Sequence, residues 1–166
     1  MADLQLILAK PNDAQLLHTM KYDAFLPLYQ RYRDEETNLV KEPIQKVIDQ
    51  LKSNVTDYYI ITLDSTPIGA VRVVNDGMDH GEQSYRISPL FILPEHQNQG
   101  FGYRALQLLF SKYPNADQWR LSTIKQEAGN CHLYEKCGFC PVGDEVVINH
   151  KMTIVYYEKS CLQERL

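Results

Sequence analysis

The segment 90–112 constrains the fold of this chain more strongly than any other part of the sequence. A run of apolar residues typical of a buried strand ends at Pro94, and a short polar loop with glycines at Gly100 and Gly102 follows. Apolar residues then recur at helical spacing. The segment therefore predicts a strand, a tight turn and a helix in direct succession, as in domains that pack helices on a sheet.

The remaining apolar patterns predict further strands and helices. Strands are predicted at residues 3–8, 58–63, 68–74, 85–93, 119–124, 146–148 and 152–157, and helices at 13–32, 43–51, 101–112 and 129–136. Pro27 is expected to kink or break the first helix. Residues 75–83, which are polar and contain two glycines, are expected to form a loop. Because this order mixes hairpins with strand–helix–strand crossovers, we expect an α/β (α+β mixed) layered domain with a mixed sheet.

Length and charge limit the classes of protein to which the chain can belong. Its 166 residues suit one domain, which we expect to span residues 1–166. A formal net charge of -4 argues against nucleic acid as a partner. The short apolar stretch near the N-terminus is interrupted by Asp3 and Gln5 and is unlike a signal peptide. No apolar run is as long as a membrane span, so we expect a cytoplasmic protein without a membrane partner.

Cys137 and Cys140 form a C-x-x-C motif, with Cys131 and His132 nearby in the sequence. A redox pair of this kind is expected to open a helix, where the dipole lowers the pKa of the thiol, but here the pair follows a predicted helix. Structural zinc sites usually have two such pairs of ligands, and the sequence has one. We favour small core residues over a redox or metal site, and we expect no metal.

The loop before the third predicted helix has two interpretations. Backbone N–H groups at a helix start lack partners within the helix and carry partial positive charge, so they bind anions such as pyrophosphate. Gly100 and Gly102 would let a phosphate approach the backbone, and Asn98 tolerates a positive φ. A lone G-x-G is equally consistent with a tight turn, and no Lys-Ser or Lys-Thr pair follows it.

Two motifs in the second half of the chain resemble those of a known family. Residues 97–102, QNQGFG, match the Q/R-x-x-G-x-G/A signature of the GNAT-type N-acetyltransferases, and the apolar strand end before Pro94 is similar too. Residues 133–139, LYEKCGF, resemble the L-Y-E-K-x-G-F segment of that family. The two motifs occur in the expected order. The resemblance implies a single-domain GNAT-like fold, with a central mixed, mostly antiparallel sheet flanked by about four helices.

The same resemblance implies an acetyl-CoA-dependent enzyme that moves an acetyl group to a primary amine by direct transfer in a ternary complex. It implies that the cofactor is bound by Ile92, Leu93, Gln97, Asn98, Gln99, Gly100, Phe101, Gly102, Asn130 and Tyr134. The backbone near Ile92 and Leu93 would pair with the pantetheine arm, and the loop that follows would enclose the pyrophosphate. The backbone N–H of Leu93 would stabilise the oxyanion. Tyr134 would be the general acid, since a phenol with a pKa near 10 stays protonated at neutral pH.

Some residues in and around the two motifs differ from those that many relatives carry. Gln97 brings no charge where many relatives carry arginine, and Arg104 is either a nearby source of that charge or a solvated helix residue. Glu127 stands where many relatives have asparagine, while Asn130 lies one helical turn before Tyr134. Asn130 is therefore expected either to bind the cofactor or to begin the helix.

The acceptor site is expected near the end of the first predicted helix, a region that commonly lines this site in the family. An acidic run at 34–36 lies beside Tyr29 and Tyr32. Tyr29, Tyr32, Glu35 and Glu36 are therefore candidate acceptor-binding residues for a cationic acceptor. The alternative is a solvated helix end, and the general base is not assigned.

Other interpretations of the sequence stay open. A non-catalytic acyl-CoA-binding or sensor protein would have the same fold, and a longer acyl donor is also compatible with the sequence. The chain is expected to be a monomer or a homodimer. The apolar segment Thr153–Tyr157 would favour the homodimer if it formed an edge strand.

Overall fold

The structure is a computed structural model that describes residues 2–35 and 39–162. The strands are β1 (Leu4–Leu8), β2 (Thr56–Leu63), β3 (Thr66–Asp79), β4 (Glu82–Ile92), β5 (Gln118–Ile124), β6 (Cys140–Pro141), β7 (Val146–Asn149) and β8 (Met152–Ser160). The helices are α1 (Ala14–Tyr32), α2 (Ile44–Lys52), α3 (Phe101–Lys112) and α4 (Ala128–Lys136). The strands form one sheet in the order β1-β2-β3-β4-β5-β8-β6, and β7 also pairs with β8. Among the described strands only β4 and β5 pair in parallel, so the predicted mixed, mostly antiparallel sheet with about four helices is confirmed.

Apolar side chains are buried on both faces of the sheet, as strand β2 illustrates. Tyr58 and Ile60 belong to a cluster with residues of α1 and α2, whereas Tyr59 and Ile61 belong to a second cluster with residues of α3 and α4. Successive side chains of a strand point to opposite faces, so the two helix pairs cover opposite sides. Within residues 2–35 and 39–162, no helix is both long and apolar enough to cross a membrane.

Helix α1 continues through its proline. The helix extends without interruption from Ala14 to Tyr32 with Pro27 inside it. Of the two predicted outcomes, a kink or a break, the break is therefore wrong. A proline removes one hydrogen bond of the helix, but buried residues hold the helix on both sides of it. Met20 and Ala24 are buried before the proline, and Tyr32 is buried after it.

The hairpin between β3 and β4 is longer than the sequence predicts. Residues 75–79 continue β3, so the loop expected at 75–83 shrinks to a two-residue turn at His80 and Gly81, with φ values of 51° and 79°. Positive φ at both central residues is typical of the tight turns that match the twist of a hairpin. Gly77 lies at an irregularity in the register, where its φ of 80° accommodates the extra residue. Polar composition therefore suggested a loop where the backbone continues a strand.

Strands β3 and β4 approach each other closely beside the site described below. A Cβ atom on Gly69 would lie 2.2 Å from the carbonyl oxygen of Phe91 on β4. No side chain can be accommodated at that distance, so glycine is required for the two strands to pair here.

Strands β4 and β5 separate after a short parallel pairing. They pair where Ser84–Arg86 meets Gln118–Arg120. Beyond that point β4 carries one residue more than β3 between the pairs Val71–Leu90 and Val73–Ile87. Such a bulge bends the strand that contains it, and β4 and β5 diverge towards their carboxyl ends. The divergence opens a gap in the middle of the sheet.

Strand β8 lies inside the sheet. It pairs with β5 along Ile154–Ser160 on one side and with β6 and β7 on the other. The segment Thr153–Tyr157 is therefore not an edge strand, and the reasoning that linked it to a homodimer is wrong. The short strand β6 was not predicted, because a two-residue strand has no periodicity to detect.

Candidate functional site

A cavity of about 370 Å³ lies where β4 and β5 separate. Residues Ile87, Ser88, Pro89 and Leu90 of β4 form one wall, and Leu121, Ser122, Thr123 and Ile124 of β5 form the opposite wall. The other lining residues among those that the structure describes are Phe25, Leu28, Tyr29, Tyr32, Asp34, Leu39, Asn130, Tyr134, Ile148, Met152, Ile154 and Tyr156. The cavity thus lies among α1, α4 and the β7–β8 hairpin. Its volume falls in the range of small-molecule sites.

Tyr134 on α4 lines the cavity. Its ring packs against Phe139 and Tyr157, with centroids 5.9 and 6.2 Å away, and only 7% of the residue is exposed. Burial, followed by the proximity of Cys137 and Cys131, raises the pKa of Tyr134 well above its ordinary value. Within the part of the chain that the structure describes, the hydroxyl has no hydrogen-bond partner. Tyr134 is therefore a protonated donor at neutral pH.

The backbone of Leu93 is already used by the protein. Its N–H donates to the carbonyl oxygen of Ile68 at 2.7 Å, and its own carbonyl accepts from the N–H of His96 at 2.9 Å. The first of these bonds contradicts the predicted role of the Leu93 N–H as the oxyanion donor. The pairing of the Leu93 backbone with the pantetheine arm stays a prediction, because a carbonyl oxygen can accept a second hydrogen bond. The hydrogen-bonding direction of one strand residue depends on its register with β3, which the sequence does not reveal.

The neighbouring residues of β4 direct their N–H groups the other way. Along an antiparallel strand, residues that hydrogen-bond the partner strand alternate with residues that do not. Since the N–H of Leu93 donates to β3, Ile92 and Leu90 are residues that do not hydrogen-bond β3. Their N–H groups therefore point into the gap between β4 and β5. Of the two residues, Leu90 lines the cavity. The donor at this site is thus Leu90 rather than Leu93.

The polar loop at 97–100 has the backbone conformation that the sequence suggested. Asn98 and Gly100 have φ values of 62° and 83°, and α3 begins at the next residue. All four residues of the loop are exposed, and a Cβ atom on Gly100 would have no neighbour within 4 Å. The Gln97 side chain does not extend outward but donates to the carbonyl oxygen of Ile92 at 2.8 Å. Gln99 likewise bonds the carbonyl of Glu95, so the two glutamine side chains of the loop are bonded to neighbouring backbone carbonyl groups.

Phe101 and Gly102 have packing roles of their own. Phe101 is 8% exposed and belongs to the core beneath α3. A Cβ atom on Gly102 would lie 3.1 Å from a methyl group of Leu133 on α4, so this glycine lets the two helices approach. Of the two glycines in the motif, Gly100 therefore has a backbone role and Gly102 a packing role.

Arg104 does not supply charge to the loop. Its guanidinium donates to the carbonyl oxygen of Ala2 at 2.9 Å and lies over the ring of Phe101. The side chain therefore connects α3 to Ala2, and the N–H groups of the loop carry partial positive charge of their own.

Glu127 joins the two helices that border the cavity, which sequence reasoning missed. Its carboxylate accepts from the guanidinium of Arg31 at 2.6 Å and from the hydroxyl of Tyr32 at 2.5 Å. Burial, and then this hydrogen bond, raise the pKa of Tyr32. The Glu127 carbonyl accepts the N–H of Asn130 at 3.1 Å, so Asn130 lies in the first turn of α4, which begins at Ala128, and it also lines the cavity. The sequence feature that could have indicated this contact is the glutamate at a position where many relatives have asparagine.

The acidic run after α1 divides into buried and exposed members. Tyr29, Tyr32 and Asp34 line the cavity, and Asp34 is 4% exposed. Glu35 is exposed and lies outside the cavity lining, where it pairs with Lys41 and accepts from the hydroxyl of Tyr29 at 2.6 Å. These contacts, Lys41 first, lower the pKa of Glu35. The other candidate, Glu36, lies outside the described residues.

The C-x-x-C motif spans the end of α4. Cys137 is 5% exposed, and burial raises the pKa of its thiol. Cys140 is exposed on β6. A thiol with a raised pKa at a helix end is a poor nucleophile. In the ranges 2–35 and 39–162, no group of three or more histidine, cysteine, aspartate or glutamate residues is placed to hold a metal ion.

Known proteins share both the sequence profile and the fold of this chain. The profile of the acetyltransferase (GNAT) family matches residues 21–139. An acetyltransferase from Thermus thermophilus has a TM-score of 0.72 at 20% identity, covering 95% of this chain and 96% of that one. A PaiA N-acetyltransferase from Thermoplasma acidophilum, in complex with coenzyme A, has a TM-score of 0.73 at 18% identity, covering 95% and 99%. Mutant forms of the spermidine/spermine N-acetyltransferase SpeG from Vibrio cholerae have a TM-score of 0.71 at 18% identity, covering 95% and 93%. No curated protein matches the sequence.

Proposed function

This chain belongs to the acetyltransferase (GNAT) family, and we propose that it transfers the acetyl group of acetyl-CoA directly to an amine in a ternary complex. The observation that carries the proposal is that Tyr134, a buried tyrosine whose pKa is raised by burial, lines the cavity between β4 and β5. Beside this cavity the sheet leaves the N–H of Leu90 without a strand partner.

The proposed binding site for acetyl-CoA begins in the gap of the sheet. The N–H groups of Leu90 and Ile92 point into this gap and would bond the pantetheine arm. Residues 97–102 would hold the pyrophosphate, because the exposed residues 98–100 bring backbone N–H groups to the start of α3. The positive φ of Gly100 and the open space around it support this placement.

The proposed chemistry moves one proton from nitrogen to sulfur. Acetyl-CoA supplies a thioester, in which the bond from the carbonyl carbon to sulfur breaks as the bond to the amine nitrogen forms. The Leu90 N–H would hold the carbonyl oxygen as it gains negative charge. Tyr134 would donate its proton to the departing sulfur and recover a proton that the amine releases. None of the described residues that line the cavity is a cysteine, which favours direct transfer over a covalent cysteine intermediate.

Thermal unfolding with and without saturating acetyl-CoA tests the binding site. A ligand at 100 times its Kd adds about 2.7 kcal/mol to the free energy of unfolding, which raises the Tm of a chain of this size by about 5 to 10 °C. No shift of the folded protein would refute the assignment of acetyl-CoA.

A matched pair of glycine variants tests whether the ligand lies on the loop. Gly100→Glu should abolish the acetyl-CoA shift, because a negative charge would enter the pyrophosphate site. The control Gly81→Glu makes the same change in the distant β3–β4 turn, at a similar φ and with equally open space. Both variants carry the same backbone strain, so equal acetyl-CoA shifts in the two would show that the loop does not bind the cofactor.

A further inference from the structure

We infer, on the basis of the proposed function, that Glu127 is a positioning residue for the amine acceptor. It acts through Tyr32, a residue of the cavity wall, which it holds against α4, the helix that carries Tyr134. The inference rests on the hydrogen bonds that join three elements of the fold at Tyr32.

Tyr32 is held at its side chain and at its backbone. Its hydroxyl donates to the Glu127 carboxylate at 2.5 Å, and its carbonyl oxygen accepts from the side-chain amide of Asn149 at 3.0 Å. Glu127 directly precedes α4, and Asn149 is the last residue of β7. Because α1 ends at Tyr32, these two bonds fix the end of α1 to the two other elements that border the cavity.

The Glu127 carboxylate has two partners in α1, and the buried one matters more. The Arg31 side chain donates to it at 2.6 Å but is 56% exposed, so water screens this ion pair. Tyr32 is 6% exposed, and a hydroxyl that loses its partner at a buried site is costly. Without the carboxylate, the Tyr32 ring would therefore move to find another partner, and the wall of the cavity would move with it.

Glu127 also supports the start of the helix that carries the proposed general acid. Its carbonyl oxygen accepts the N–H groups of Asn130 and Cys131, both at 3.1 Å. Asn130 and Tyr134 line the cavity one helical turn apart. One residue thus sets the spacing between the wall formed by α1 and the acid on α4. A displacement of about 1 Å between reacting groups can cost about 10²-fold in rate.

Thiol-release kinetics of Glu127→Ala and Glu127→Gln test this role. The probe is whichever of butylamine, 2-phenylethylamine, spermidine and alaninamide has the highest kcat/KM with the wild-type protein. Glu127→Ala should raise KM for this amine at least about tenfold, while the KM and the Tm shift for acetyl-CoA stay unchanged. Glu127→Gln keeps an oxygen that can accept from Tyr32 and should recover most of the loss. A KM that rises equally in both variants would overturn the inference.

Glu135→Ala is the matched control for Glu127→Ala. Glu135 also lies on α4, and it also accepts from a tyrosine hydroxyl, that of Tyr157 at 3.0 Å. Neither of these two residues is among the described lining residues of the cavity, so Glu135→Ala should leave KM for the amine unchanged. Equal KM values for the amine in the two alanine variants would overturn the inference.

Tyr32→Phe tests whether Glu127 acts through Tyr32. It removes the same bond from the other side and should raise KM for the amine to a similar extent, which also serves if Glu127→Ala fails to fold. In the Tyr32→Phe background, Glu127→Ala should add little, since residues that act through one bond are not additive. Multiplicative effects in the double variant, or an unchanged KM in Tyr32→Phe, would overturn the inference.

The ionisation of Tyr32 gives a test that needs no acceptor. Burial, and then the bond to Glu127, raise the pKa of Tyr32, so Glu127→Ala should lower it. The pKa is measured from the carbon NMR signals of the tyrosine rings, with the Tyr32 signal assigned by Tyr32→Phe. An unchanged pKa in the folded variant would overturn the inference.

The outcomes separate this inference from the proposed function. If acetyl-CoA does not stabilise the folded wild-type protein, the proposed function itself is refuted. If thiol is released and Glu127→Ala behaves like Glu135→Ala, only the role of Glu127 is refuted. If none of the four amines releases thiol, the pKa of Tyr32 decides the inference by itself.

Discussion

Replacing Tyr134 with phenylalanine should reduce turnover while leaving the fold and the cofactor site intact. The ring contacts with Phe139 and Tyr157 would remain. The hydroxyl that is lost has no hydrogen-bond partner among the described residues. The free energy of unfolding should therefore change by less than about 1 kcal/mol, the usual net contribution of a single hydrogen bond.

The expected loss in kcat follows from the role of the hydroxyl. A positioned general acid contributes about 10² to 10⁴ in rate, which corresponds to about 3 to 5 kcal/mol of transition-state stabilisation. Burial raises the pKa of Tyr134, so the side chain keeps its proton above the ordinary tyrosine pKa of about 10. In the wild-type protein kcat should therefore not fall through loss of this proton at any pH below about 10.

The assay is thiol release across a pH series, combined with Tm measurements with and without acetyl-CoA. Tyr22→Phe is the matched control, since Tyr22 is exposed on α1 outside the cavity lining. Tyr134→Phe should keep its acetyl-CoA shift and lose kcat, and Tyr22→Phe should keep both. Equal kcat values in the two variants across the pH series would refute the acid role of Tyr134.

Three further predictions concern the stability of the fold. Gly69→Ala should lower the free energy of unfolding by about 3 kcal/mol or more, because its Cβ would overlap the carbonyl of Phe91. The control is Gly129→Ala, whose Cβ would have open space. In urea unfolding this control should be neutral or stabilising. Tyr58→Phe should raise the free energy of unfolding by about 1 kcal/mol, because the Tyr58 hydroxyl is buried without a hydrogen-bond partner among the described residues; a loss of stability would contradict this. Burial raises the pKa values of Tyr58 and Tyr134, so above about pH 10 the unfolded chain ionises these groups and the folded chain does not. Stability should therefore fall above that pH, less steeply in Tyr58→Phe, and an unchanged pH dependence in the variant would contradict the role of Tyr58.

Local sequence signals were sufficient to locate the elements around the loop. Helix α3 spans Phe101–Lys112 as predicted, since Pro94 ends the strand, Gly100 permits the turn and apolar residues recur at helical spacing. These effects act over a few residues, so the sequence alone expresses them. The same signals misled where polar residues continued β3 through 75–79, because hydrogen bonds to β4 outweighed local preference.

The sequence also indicated which kinds of residue form the candidate site. Tyr134, Asn130, Tyr29 and Tyr32 come from different parts of the chain and line one cavity. The resemblance of two short motifs was enough to select Tyr134, and helical spacing from Tyr134 selected Asn130. It did not distinguish Asp34, which lines the cavity, from Glu35, which is exposed and paired with Lys41.

Only the tertiary structure decided which groups are available for chemistry. The N–H of Leu93 is occupied because its register places it opposite Ile68, and Leu90 faces the gap for the same reason. Glu127 bonds Tyr32 across 95 residues of sequence. Sequence determines residue type and local conformation, whereas register and long-range contacts depend on how the whole sheet assembles. A strand residue shifted by one position would direct its hydrogen bonds to the opposite side.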